Sequence, residues 1–113
     1  MEPDQTAIAA LKQTLTGIAL SLGELPLPKL ENLDEWKSKA PAIIQAAQSL
    51  VLALQQREPS VAQVLVDVAS ECDVMIAAID RDRDQPPTVM RIAAREKRIS
   101  ELQGAVLRMA RSL

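Results

Sequence analysis

The sequence predicts an all-α fold: a four-helix bundle with one additional short helix, its last two helices paired as an antiparallel hairpin. Three observations carry this. Apolar residues recur at spacings of three and four through most of the chain, the stripe of helices packed in a bundle. The apolar content is Ala, Leu, Ile and Val, with Trp36 as the one aromatic residue, whereas strands favour aromatic side chains. Glycine is scarce, three residues in 113, so tight β-turns would be hard to build.

Helix one is expected over residues 4–23, with Ile8, Leu11, Leu15, Ile18 and Leu22 on one face. Thr6 or Asp4 would cap its start, and Gly23 suits a left-handed residue at its end. Residues 24–28 hold Leu25-Pro26-Leu27-Pro28, which reads as an extended connector because neither proline suits a helix interior. A short helix two is expected over 29–39, with Leu30, Leu33 and Trp36 closing one end of the bundle. Pro41 then opens helix three, residues 41–57, since a proline is tolerated in a first turn. Helix three has a wide apolar face of Ile43, Ile44, Ala47, Leu50, Val51 and Leu54.

Helix four, residues 60–80, begins with Ser60 and Gln63 in the spacing of a capping box. Val61, Leu65, Val68, Cys72, Met75 and Ile79 form its stripe, and its polar side carries Asp67, Glu71, Asp73 and Asp80 but no base. Residues 81–87 are a polar turn, and Thr88 caps helix five, residues 88–113. There Ile92, Arg95, Ile99, Leu102, Val106, Met109 and Leu113 hold a coiled-coil heptad spacing, a candidate interface for a second copy in a homodimer. The whole chain, 1–113, is of single-domain size.

Charge is unevenly spread. The formal net charge is −2, but residues from Thr88 onward carry +4 and the preceding ones −6. An acidic helix four beside a basic helix five favours their pairing, although each exposed ion pair contributes only about 0–1 kcal/mol. Apolar residues are 48% of the chain, enough to argue against disorder throughout. The N-terminus is acidic rather than basic, the lone Cys72 forms no intrachain disulfide, and no apolar run approaches a membrane span. These features point to a cytoplasmic protein.

Catalytic, cofactor and metal chemistry find little support. There is no histidine, the usual general acid–base residue. Cys72 lies in an apolar stripe, where a free cysteine behaves as a small hydrophobe. Asp67 and Glu71 share a helix face but read as solvated. Asp80-x-Asp82-x-Asp84 has the first half of a calcium loop, yet Gln85 and Arg91 stand where that loop needs Gly and Glu. No glycine pattern cradles a phosphate. Gly17 and Gly104 fall inside helices, and close helix crossings would explain them.

The function expected on these grounds is a non-catalytic helical interaction or assembly module that binds a protein partner, a second copy included, through a helix face. The alternative is a nucleic-acid-binding regulator using the basic stripe Arg91, Arg95 and Arg98, although no stacking aromatics accompany it. A second alternative is an enzyme or ligand carrier with a carboxylate-lined pocket. Arg95 stands in the heptad seam where an apolar residue is expected. Such a charge can specify register or partner, but the favoured reading is a stem that covers apolar surface with its head in water.

Overall fold

In the computed structural model, which describes residues 3–113, every regular element is helical. The order is α1 (Pro3–Gly23), a single 3-10 turn (Leu30–Asn32), α2 (Leu33–Leu54), α3 (Pro59–Arg81) and α4 (Val89–Ser112). Four helices therefore pack together, as the apolar periodicity predicts. α2 packs most extensively on α3 and α1 on α4; α3 and α4 touch less, and α1 and α2 least. The molecule measures 58 × 21 × 20 Å. Its longest helix, α4, has 24 residues and spans about 36 Å, so the helices are offset along the long axis rather than level.

The expected break at Pro41 is absent. Helices two and three of the sequence reading are one helix, α2, with Pro41 inside it. Only the 3-10 turn is left as a separate short element. Proline removes one helical hydrogen bond and crowds the preceding turn. Here it stands on the exposed side, where the carbonyl left unpaired can bond water. On the opposite side Leu33, Trp36, Ala40, Ile43 and Ala47 form one continuous buried stripe. Burial of that stripe outweighs the local preference of a single residue.

Two other helices, α1 and α3, begin at a proline. α1 begins at Pro3, so Thr6 is inside the helix rather than its cap, and the side chain of Asp4 lies outside the described residues. α3 begins at Pro59 after Glu58, with no side-chain cap, so Ser60 does not open a capping box. Gln63 instead donates to Asp67 Oδ1 at 3.2 Å. Thr88 does cap α4: its Oγ1 accepts from the Arg91 amide at 3.1 Å. Gly23 is not left-handed, because no residue has a positive φ among those described. A Cβ at Gly23 would collide with the side chain of Gln103, which donates to Ala19 O at 3.0 Å. Glycine there makes room for the end of the Gln103 side chain and is not required for backbone freedom.

The core runs through all four helices and includes Leu15, Leu22, Trp36, Leu65, Val68, Ile79 and Val106, each almost fully buried. Trp36 is packed as the sequence reading expects, with Leu33 beside it in the core, whereas Leu30 is largely exposed. Gly17 and Gly104 do not mark close crossings. A Cβ on Gly17 would meet nothing within 4 Å, and one on Gly104 would meet only the end of the Arg108 side chain.

Candidate interaction surface and the polar clasp

The proline-flanked connector exposes backbone carbonyls that have no helical partner. Three of them are taken by side chains from elsewhere. Trp36 Nε1 donates to Pro26 O at 3.0 Å, Asn32 Nδ2 to Leu27 O at 2.9 Å, and Arg95 Nη1 to Pro28 O at 3.0 Å. The Arg95 bond is buried, the Trp36 bond part-buried and the Asn32 bond exposed, so the carbonyls nearest the core are paired where the extended segment lies against it.

Arg95 does more than close that carbonyl. Its Nη1 and Nη2 donate to Asp82 Oδ2 and Oδ1 at 2.8 and 2.9 Å, a bidentate pair. Asp82 and Arg95 are 5% and 9% exposed, the only charged residues in the core among those described. The guanidinium head is therefore inside, which corrects the expectation that it reaches water. The physical reason is a partner the periodicity could not reveal: a carboxylate from the α3–α4 turn and a carbonyl from the connector converge on it. The hydrogen bonds from Arg95 hold the Asp82 carboxyl below the usual carboxylate range despite burial. The same contact raises the Arg95 guanidinium.

This clasp also divides the predicted basic stripe. Arg91 and Arg98 are exposed, but Arg95 between them is turned inward and neutralised. Arg98 Nε approaches Glu71 Oε1 of α3 at 3.7 Å. The stripe thus presents two separated guanidinium groups rather than a row of three.

The heptad seam of α4 is likewise turned inward. Ile99, Leu102 and Val106 are buried, and Met109 and Leu113 pack against the same core while Ile92 is half-buried. The seam faces the chain's own helices, chiefly α1, so a second copy could reach it only by displacing them.

The groups considered for chemistry are scattered. Burial pushes the Cys72 thiol up to about 11, helped by Asp73 and Glu71, so it carries no thiolate at neutral pH. Asp80 pairs with Arg83 at 3.3 Å and Asp82 with Arg95, which leaves the Asp80-x-Asp82-x-Asp84 spacing without converging oxygens. Among the described residues no group of three or more His, Cys, Asp or Glu side chains comes together.

What the surface does offer is apolar. Leu52 of α2 and Val66 of α3 are exposed and line an open groove with Val51, Ala69 and Asp73. Val74, two turns further along α3, is exposed as well. The setting is one-signed: between Ala40 and Asp80 the only base is Arg57, against Glu58, Asp67, Glu71, Asp73 and Asp80. Sequence reasoning missed this surface. The available signal was that Leu52, Val66 and Val74 are large apolar residues left over once the buried stripes are assigned.

No protein-family model, curated protein or solved structure matches the chain. No helix among the described residues is long and apolar enough to cross a membrane.

Proposed function

We propose that this chain is a non-catalytic helical interaction module that binds a protein partner through a helix face. The observation that carries the reading is the groove in which Leu52 of α2 and Val66 of the acidic helix α3 stand exposed side by side. Contiguous apolar surface that a folded chain leaves uncovered is the usual mark of a protein contact. The arrangement this reading assumes is a four-helix bundle with α3 and α4 antiparallel, supported by the short turn between Arg81 and Val89. A lone, buried Cys72 supports a reducing, cytoplasmic setting. The nucleic-acid alternative loses weight because Arg95 is committed to Asp82.

The test is a pull-down from native lysate with the full chain as bait, in the presence and absence of nuclease. The expected result is a nuclease-resistant protein partner held by the natural chain and lost with Leu52→Asp. Recovery of partners only while nucleic acid is intact would overturn the reading in favour of the basic helix. Truncation before α4 is not a usable test, because α4 contributes Ile99, Leu102, Val106 and Ala110 to the core.

A further inference from the structure

Three large apolar side chains stand almost fully in solvent: Leu52 at 80%, Val89 at 84% and Met90 at 81% exposed. They fall into two patches, one with Asp73 in its lining and one with Arg91 at its edge. Leu52 belongs to the groove with Val66 and Asp73, on the stretch of chain that carries five acids and one base. Val89 and Met90 form a knob on the first turn of α4. Arg91 follows directly, and Lys97 and Arg98 are exposed further along against Glu96.

We propose that the Val89–Met90 knob of one copy seats in the Leu52–Val66 groove of another, with Arg91 facing Asp73, so that copies join head to tail. This rests on the interaction reading above and names its partner: a second copy of the chain. Apolar matter meets apolar matter, and the flanking charges are complementary in sign.

A single chain cannot satisfy both patches. Val66 precedes Arg81 by fifteen residues along α3, about 22 Å at the helical rise. The knob is held near the Arg81 end because Asp82, the first residue after α3, is fixed to Arg95 on the second turn of α4. Knob and groove therefore sit at separate places along the molecule, and contact between them must be between copies. Two unlike patches can be returned by the same partner in a two-fold dimer; joined head to tail the contact is heterologous, so it propagates until a ring closes or a filament grows. The small area involved makes each contact weak, so assembly appears at high protein concentration and low salt.

The experiment is sedimentation velocity on the full chain, on Leu52→Asp, on Met90→Asp and on an equimolar mixture of the two variants. Both substitutions are at exposed positions, and circular dichroism checks that helix content is kept. The natural chain is expected to grow in average mass with concentration, beyond a dimer, and to fall back with added salt. Each variant alone is expected to remain monomeric. The mixture is expected to converge on the dimer mass and stop, because one intact knob meets one intact groove and each pair ends in two disabled patches. A natural chain that stays monomeric, or that stops at a dimer, overturns the proposal. So does a single variant that still assembles, or a mixture that stays monomeric. A monomeric chain that nonetheless retains a protein through Leu52 overturns self-assembly while leaving the interaction reading in place.

Discussion

Between α2 and α3 the contact is apolar and built from small side chains. Ala40 and Ala47 on one helix, and Ala62 and Ala69 on the other, are buried beside Leu65 and Val68. From Ala40 to Gln56 the sequence contains no charge at all. Where α4 meets the connector and the end of α3, the contact is polar: one guanidinium holds a carboxylate and a backbone carbonyl in the interior. The first kind of contact is tolerant of sliding, because alanine faces offer similar packing at neighbouring positions. The second is specific, because a bidentate pair is satisfied at one register only. The two regions thus divide the work, with non-directional burial supplying most of the stability and the clasp fixing where the connector and α4 sit.

The largest effect should come from breaking the clasp on one side. Arg95→Leu leaves the Asp82 carboxylate buried and unpaired, and should cost about 3–5 kcal/mol. Replacing both partners by apolar residues should recover most of that loss but not all, since Pro28 O would still lack its donor, at about 1–3 kcal/mol. A double-mutant cycle in urea measures the coupling, and additive single effects would show that the pair contributes nothing. Acid offers a second probe. The Asp82 carboxyl is held below its ordinary value, so its contribution is complete above the unfolded carboxyl pKa of about 4 and is lost as pH falls through the lower folded value. Stability of the natural chain should therefore drop on the acid side more steeply than that of Asp82→Asn, read from urea midpoints at neutral and acid pH.

On the apolar side the comparison is sharpened by Leu65→Ala. Leu65 is fully buried, so its truncation removes transfer energy and leaves a cavity, at about 2–5 kcal/mol. The difference from Arg95→Leu lies in kind. Leu65→Ala should act evenly from neutral to acid pH, while the clasp variant should converge with the natural chain as Asp82 is protonated. Parallel pH dependence of the two variants would mean that the clasp has no electrostatic role.

How much of this was legible in the sequence follows from how local each signal is. Apolar periodicity is local, and it located the core faces of all four helices. The Thr88 cap depends on a residue three positions away and was also legible. Pro41 misled because its local preference for ending a helix was outvoted by a stripe buried against α3. The clasp joins Arg95 to residues 13 and 67 positions earlier, and no window of sequence reports such a meeting. A charge at a seam position was its only trace. The groove was hidden for a related reason: Leu52 and Val66 belong to no stripe and stand on different helices, so only the packing of α2 on α3 brings them together.

The smallest effect tests the least covered contact, the cleft between α1 and α2. It is lined by small or short side chains, among them Thr14, Gly17, Ser21, Ser38 and Ala42. Gly17 has ordinary helical backbone, and a Cβ there would meet nothing within 4 Å. Gly17→Ala should therefore gain about 1 kcal/mol from helix propensity. For a chain of this size that is a rise in melting temperature of roughly 4–8 °C, read by circular dichroism. Gly23→Ala makes the contrast, because its Cβ would displace Gln103 from Ala19 O and loosen the tie between α1 and α4. If Gly17→Ala instead destabilised the chain, α1 and α2 would have to approach in solution as closely as α2 and α3 do, and the cleft would be a contact like the others.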